Sequence, residues 1–231
     1  MIISKSSAYT SIDSPIWDNR IPSCLFQQEV HQSANNTIKR LIDIIGALVG
    51  LLITVSIAIP IAIAMSIVDP GPLFYSQIRC GLNGKPFRIW KFRSMIVGAD
   101  KLKHLVENQA KGHIFKNEND PRISRIGGFL RRTSLDEFPQ FWNVLIAEMS
   151  LVGTRPPTFD EVMSYNRHHY KRLRVKPGIT GEWQANGRSK VTDFEDIVLM
   201  DLDYQDKWSI GYDLKLIVKT IMVIFNRHGA Y

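Results

Sequence analysis

Cysteine is scarce in this 231-residue chain, and no spacing of cysteine or histidine in it is typical of a metal site. The two cysteines, Cys24 and Cys80, lie far apart and outside any C-x-x-C pattern, which argues against a disulfide scaffold, a structural zinc site and a thioredoxin-type centre and favours a reducing compartment. The six histidines form no H-E-x-x-H spacing, so a zinc hydrolase has little support. The sequence also lacks a P-loop and a G-x-G-x-x-G motif, and ATP or NAD use is not supported.

Charge is missing altogether from residues 44–68, a stretch as long as a membrane helix. Lys39 and Arg40 precede it and a basic region follows it, so the positive-inside rule draws both of its ends toward the cytoplasm. Pro60 lies inside the stretch, where its missing N–H favours a bend. We therefore expect a re-entrant membrane helix that turns at Ile59-Pro60 and leaves on the side from which it entered, with a kinked span as the alternative.

Positive charge is concentrated in residues 69–132, which carry thirteen lysines and arginines against five acidic residues, whereas the whole chain has a net charge of +7. Such a region suits phosphates, nucleic acid or an anionic membrane surface, and composition does not choose among them. The apolar fraction of 45% and the charged fraction of 22% are typical of a folded chain. The length fits one main domain with an accessory segment.

The hydrophobic pattern predicts an α+β fold. Two alternating runs, residues 73–79 and 87–93, flank Asn83-Gly84 and predict a β-hairpin. Helical patterns follow in five segments, near residues 99–109, 138–149, 159–172, 194–208 and 212–227. The last segment is amphipathic and suits either the membrane surface or the core.

Three regions follow from this pattern. Residues 1–37 show no sustained period and are expected to form a poorly ordered leader. Residues 38–68 are expected to form the membrane helix. Residues 69–231 are expected to form a small, mostly helical domain with the β-hairpin and an amphipathic C-terminal helix.

Two adjacent carboxylates, Asp136 and Glu137, follow Arg131 and Arg132 in the chain. Ser134 lies three residues before Glu137, which is the spacing of a capping box and offers a purely structural explanation. The neighbouring basic region and membrane helix favour a functional explanation. Carboxylates bind Mg²⁺ or attack phosphorus, while arginines neutralise phosphate oxygens.

An ordered series of motifs resembles the bacterial sugar transferases, the monotopic phosphoglycosyl transferases that start polyprenol-linked glycan assembly. The resemblance runs from residue 39 to the C-terminus. Its motifs are KRLID at 39–43, DPGP at 69–72, KFRSM at 91–95, TSLDE at 133–137, MSLVGTRP at 149–156, KPGITG at 176–181 and NGR at 186–188.

The resemblance implies a two-step transfer in which Asp136 is the nucleophile and a ligand of Mg²⁺, and Glu137 is a metal partner or a base. Asp136 would attack the sugar-linked phosphate of a nucleotide-diphosphate sugar, with a UDP-sugar expected, and release UMP. The phosphosugar would stay on the aspartate until a membrane polyprenol phosphate, undecaprenyl phosphate, displaces it. Substrate-binding roles are implied for Lys91, Arg93, Arg131, Arg155, Pro156 and Arg188.

The resemblance also implies where the protein acts and what it binds. We expect a bacterial inner-membrane enzyme of exopolysaccharide or other glycan assembly whose catalytic domain faces the cytoplasm. Its expected partners are the nucleotide sugar, the polyprenol phosphate and the membrane, with no nucleic acid, and a homodimer is left open. The sequence departs from the family pattern in two places: Thr154 stands where the family usually has proline, and Ile59-Pro60 falls about one turn later than the family's usual Ser-Pro pair.

Two other functions compete with this interpretation. Asp201 and Asp203 have the D-x-D spacing of nucleotide-sugar glycosyltransferases, which predicts a polyprenol-phosphate glycosyltransferase that releases UDP. A solvated helix face explains the same residues more simply. The net charge and the apolar segment also fit a non-enzymatic, membrane-tethered basic scaffold, which would bind nucleic acid in a salt-sensitive way.

Overall fold

The computed structural model describes residues 29–115, 117, 119–186, 191 and 193–225. Helices dominate and two small sheets accompany them, which confirms the α+β class. The helices and strands in chain order are α1 (Thr37–Val68), β1 (Phe74–Cys80), β2 (Pro86–Phe92), α2 (Arg125–Arg132), α3 (Phe141–Leu145), β3 (Ser150–Val152), α4 (Phe159–Met163), α5 (Arg167–Tyr170), β4 (Gly178–Thr180), α6 (Glu182–Ala185), α7 (Phe194–Lys207) and α8 (Ile210–Phe225).

The predicted leader lies outside the described residues as far as position 28. Beyond it, Gln32–Asn35 forms a short 3₁₀ turn, and the backbone N–H of His31 donates to the carbonyl of Arg174 at 2.9 Å. Asn36 then caps α1, because its side-chain oxygen accepts the N–H of Lys39 at 2.9 Å.

Helix α1 continues through Pro60 to Val68 without interruption. By length and composition it is apolar enough to cross a membrane, and its 32 residues extend about 48 Å. One stripe of the helix is buried against the rest of the chain, while the other faces expose large apolar side chains. The buried stripe consists of Lys39, Asp43, Ala47, Gly50, Thr54, Ile61 and Met65.

Both ends of α1 contact the same domain. Near its start, Lys39 Nζ lies 2.5 Å from Asp213 Oδ2 and donates to the carbonyl of Val152 at 2.9 Å. Just after its end, Asp69 Oδ2 accepts a hydrogen bond from Arg93 Nη1 at 2.7 Å. The helix therefore lies along the domain over its whole length.

Strands β1 and β2 form the predicted antiparallel hairpin, with a register from Phe74 opposite Phe92 to Cys80 opposite Pro86. Asn83 and Gly84 adopt positive φ angles of 52° and 76° at the turn, as the Asn-Gly pair predicts. Opposite residues of an antiparallel pair share one face. One face of the hairpin therefore carries Tyr75, Gln77 and Arg79 together with Lys91, Ile89 and Phe87.

A second, parallel pair of strands was not predicted. Ser150 lies opposite Gly178 and Val152 opposite Thr180, and strands of three residues are too short to show alternation. A Cβ atom at Gly153 would lie 2.1 Å from the carbonyl oxygen of Lys176, so the two segments approach backbone to backbone. This contact brings the 149–156 and 176–181 motifs together.

Several predicted helices are shorter than the sequence indicates. Residues 99–105 form a 3₁₀ helix, and the 138–149 segment contains α3 preceded by the 3₁₀ turn Leu135–Gln140. The 159–172 segment divides into α4 and α5, and each helix begins with its own capping box. Helices α7 and α8 confirm the last two predicted helices, whereas α2 was not predicted.

Gly127 sets the position of α2. A Cβ atom at this residue would lie 1.8 Å from the carbonyl oxygen of Ser94, whereas a Cβ atom at Gly128 would lie 3.4 Å from the nearest atom, Arg132 Nη1. Of these two glycines, only Gly127 packs closely against the segment that follows β2.

We expect Gly127→Ala to lower the free energy of unfolding by about 1–3 kcal/mol, because α2 must move away from Ser94. Gly128→Ala is the matched control and should be neutral or stabilising by up to about 1 kcal/mol, through helix propensity. Denaturant unfolding in detergent micelles measures both. Equal stabilities of the two variants would contradict the close contact.

Candidate active site

A cavity of about 1110 Å³ opens between the hairpin face that carries Lys91, the end of α2, the Leu135–Gln140 turn and the loop after β3. Parts of α1 and α8 complete its wall. The cavity brings together seven of the eight residues for which catalytic or binding roles are predicted: Lys91, Arg93, Arg131, Asp136, Glu137, Arg155 and Pro156. The eighth, Arg188, lies outside the described residues.

Asp136 lies on the 3₁₀ turn that follows α2. Ser134 precedes this turn in the left-handed conformation, with a φ angle of 56°, and its side chain makes no capping hydrogen bond. The capping box that the spacing of Ser134 and Glu137 suggests is therefore not formed, and it does not explain these two residues. Asp136 is 7% exposed and lines the cavity, so the backbone at Ser134 presents a nearly buried carboxylate to the cavity.

Glu137 forms an ion pair with Lys91, whose Nζ lies 2.9 Å from Glu137 Oε1. Lys91 projects from β2, and both side chains are partly buried. The pair connects the hairpin to the turn that carries Asp136. It also places a cation directly beside the two adjacent carboxylates.

Arg131 lies in the last turn of α2. Its Nη1 atom is buried and has no hydrogen-bond partner among the described residues. A buried guanidinium N–H without an acceptor is costly. Because Arg131 lines the cavity, an anion bound there would supply the acceptor.

Arg93 lines the cavity, and its side chain is held by contacts within the chain. Its side chain is 5% exposed. Its guanidinium group donates to the Asp69 carboxylate and backbone and to the carbonyl of Pro72. We therefore assign Arg93 to fixing the chain that leaves α1, since these contacts occupy all three of its nitrogens.

Arg155 and Pro156 line the opposite part of the cavity. Arg155 Nη1 lies 3.1 Å from Glu161 Oε2. Glu161 also accepts a hydrogen bond from the backbone N–H of Thr158 at 2.8 Å, as part of the capping box of α4. Burial raises the pKa of the Glu161 carboxyl, but the charges of Arg155 and Arg79 outweigh burial and hold that pKa below its usual value. Glu161 is therefore an anion that orients Arg155.

The donor set of the site fits Mg²⁺. Within the described ranges no group of three or more acidic, histidine or cysteine side chains is placed to hold a metal. Mg²⁺ is usually bound through one or two carboxylates together with substrate phosphates and water. The adjacent carboxylates of Asp136 and Glu137, in a cavity rich in cations, match that mode.

The D-x-D pair of the competing hypothesis does not form a site. Asp201 is 2% exposed and accepts a hydrogen bond from Arg172 Nε at 2.8 Å, inside the core that α4, α5 and α7 share. Asp203 is exposed and pairs with Lys207 at 2.7 Å. The two carboxylates leave α7 in different directions, so they do not share a metal.

Arg79 is among the cavity residues that were not predicted from the sequence. It lies on β1, on the hairpin face that carries Lys91, and lines the cavity. The signal was present, since the register set by Asn83-Gly84 places Arg79 and Lys91 on one face.

Comparison with known proteins agrees with the motif series. The bacterial sugar transferase family model matches residues 34–227. A galactosyl transferase CpsE of Streptococcus agalactiae is 48% identical over 89% of this chain and 46% of the relative. A UDP-glucose:undecaprenyl-phosphate glucose-1-phosphate transferase of Escherichia coli is 39% identical over 92% of this chain and 46% of the relative.

A shorter relative matches over nearly its full length. The exopolysaccharide production protein ExoY of Rhizobium meliloti is 36% identical over 84% of this chain and 88% of the relative. The chain thus spans about half the length of the first two relatives and most of the third. By its family match and its similarity to these proteins, the chain belongs to the bacterial sugar transferases.

Proposed function

We propose that this chain transfers a sugar phosphate from a nucleotide-diphosphate sugar to undecaprenyl phosphate, through a covalent phosphosugar on Asp136. The observation that carries the proposal is the cavity itself. A nearly buried carboxylate shares it with several cations, and one of these, Arg131, has a buried nitrogen without an acceptor in the described part of the chain. Relatives named as undecaprenyl-phosphate sugar transferases support the substrate classes.

In the first step, a carboxylate oxygen of Asp136 attacks the phosphorus that bears the sugar. The bond from that phosphorus to the bridging oxygen breaks, and the electron pair leaves with the nucleoside monophosphate, UMP for a UDP-sugar. Arg131 and Lys91 lie where they can neutralise the phosphate oxygens as charge redistributes. Positioning and charge neutralisation account for most catalysis in phosphoryl transfer.

In the second step, an oxygen of the lipid phosphate attacks the same phosphorus. The phosphorus–oxygen bond to Asp136 breaks, the carboxylate is regenerated, and a polyprenol-diphosphate sugar is formed. Mg²⁺ held by Asp136 and Glu137 would neutralise phosphate charge and orient the diphosphate. The pairing of Glu137 with Lys91 keeps the second carboxylate beside the nucleophile.

The lipid acceptor would reach Asp136 along α1. The cavity wall includes Val49, Gly50 and Ile53 of α1 and Ile221 of α8, so an apolar surface leads to the carboxylate. The exposed apolar side chains of α1 would face the hydrocarbon of the bacterial inner membrane. The basic catalytic domain would face the cytoplasm, where soluble nucleotide sugars are available.

Asp136→Asn should abolish turnover of a UDP-sugar panel with Mg²⁺ and undecaprenyl phosphate, because the amide is a poor nucleophile. Asp203→Asn, the matched control at a solvent-exposed side chain of α7, should retain full activity. Intact mass of the wild type incubated with donor alone should rise by one sugar phosphate, and the Asp136→Asn protein should gain no mass.

The leaving group separates the competing functions in this assay. Release of UDP and loss of activity in Asp203→Asn would favour the glycosyltransferase. Absence of turnover together with salt-sensitive nucleic-acid binding would favour the scaffold. Full activity of Asp136→Asn would contradict the covalent mechanism.

Lys91→Met should lower kcat, and it should also lower the Mg²⁺ concentration that gives half-maximal activity, by about 3- to 10-fold. The physical reason is that the lysine competes with the metal for Glu137, and its removal makes the site more negative. Lys85→Met, at an exposed position after the hairpin turn, is the control. A higher Mg²⁺ requirement in Lys91→Met would contradict metal binding by Glu137.

A further inference from the structure

Arg79 and Lys91 lie on the same cavity-lining face of the hairpin, but toward opposite ends of it. Tyr75 is opposite Lys91 in the register, and Arg79 lies four residues farther along β1, a backbone separation of about 13 Å. Tyr75, Gln77 and Arg79 all line the cavity, as alternation along the strand requires. The face therefore carries one cation near Asp136 and another toward the loop after β3.

The cavity around Arg79 has an excess of positive charge. One carboxylate, Glu161, interacts electrostatically with Arg79 and accepts hydrogen bonds from Arg155 and from the backbone N–H of Thr158. Burial and the adjacent charge of Arg155 lower the pKa of Arg79 to about 10, so it stays cationic at neutral pH. Two cations against one anion in a largely buried place favour binding of a further anion.

The neighbouring titratable groups add no compensating charge. Burial raises the pKa of Cys80 and that of Tyr75 to about 12 each, so both are neutral at physiological pH. Burial likewise raises the pKa of Tyr165 to about 12. Among the groups that act on Arg79, Glu161 is therefore the one that carries a compensating negative charge.

The hydrogen bonds of Arg79 leave one of its three nitrogens without an acceptor in the described part of the chain. Nη1 donates to the carbonyl of Pro156 at 3.2 Å and Nη2 donates to Gln77 Oε1 at 2.8 Å. Both acceptors are neutral. The buried Nε has no acceptor among the residues that the structure describes, which is the condition that a bound oxyanion would relieve.

We propose that Arg79 and Arg155 together form a phosphate-binding subsite of the cavity, separate from the Lys91–Glu137 pair beside Asp136. The identity of its ligand as a substrate rests on the proposed function. The shared chemistry is a phosphate oxyanion, which either the nucleotide or the polyprenol phosphate supplies. Arg79 is thus a substrate-binding residue that acts on affinity rather than on the attack by Asp136.

Binding of inorganic diphosphate without divalent metal tests the subsite independently of turnover. We expect Arg79→Gln to bind it at least about tenfold more weakly than the wild type, the loss typical of a charge-assisted contact. Arg88→Gln is the matched control, because Arg88 lies on the other hairpin face and donates to Ser76 Oγ at 3.1 Å. Its affinity should equal that of the wild type.

Kinetics then assign the source of the phosphate. An increased KM for the nucleotide sugar in Arg79→Gln, with kcat changed far less, assigns the subsite to the donor. The same change in the KM for undecaprenyl phosphate assigns it to the acceptor. Wild-type diphosphate affinity and both wild-type KM values in a folded Arg79→Gln protein would overturn the proposal.

A measurement on the unaltered chain covers the case in which Arg79→Gln does not fold. Inorganic diphosphate should slow phenylglyoxal labelling of Arg79, and labelling at an unchanged rate would overturn the subsite. Diphosphate binding that depends on Arg79 in a protein without turnover would refute the proposed function and leave the subsite intact. Asp136-dependent turnover, together with unchanged diphosphate binding in Arg79→Gln, would refute the subsite and leave the proposed function intact.

Discussion

Two ion pairs, one buried and one partly buried, hold α1 against the domain, and the position of the site relative to any membrane depends on them. The buried pair joins Lys39 to Asp213 at the start of the helix, and the partly buried pair joins Asp69 to Arg93 just after its end. Removing one partner of the Lys39–Asp213 pair would leave an uncompensated buried charge, at a cost of about 3–5 kcal/mol. The apolar helix is therefore fixed alongside the cavity, and in our proposal this brings the lipid phosphate to Asp136.

Short, closely packed segments give the cavity its chemistry. The left-handed Ser134 turns the chain after α2 so that Asp136 enters the cavity wall. The backbone contact between Gly153 and Lys176 brings two distant motifs into one sheet. These segments have only three to six residues each, so their geometry depends on tertiary packing.

Periodicity predicted much of the fold, and the motifs named seven of the residues that line the cavity. Asn83-Gly84 specifies the hairpin locally, and the α1 and α7 patterns are long enough to be recognised. The strands β3 and β4 are too short for a pattern, and α2 contains Gly127 and Gly128, which lower helix propensity. The ion pair of Arg93 with Asp69 depends on a tertiary contact that one sequence does not display, whereas the hairpin register alone places Arg79 on the face of Lys91.

The most direct test of the account is the side of the membrane on which the two flanks of α1 lie. Asn35→Cys and Pro70→Cys, each at an exposed position, would be introduced separately into a chain with Cys24→Ser and Cys80→Ala, and labelled in intact cells with a membrane-impermeant thiol reagent. Because one domain contacts both ends of α1, we expect both cysteines to be protected until the membrane is opened. Labelling of only one of them in intact cells would show a spanning helix and contradict the account.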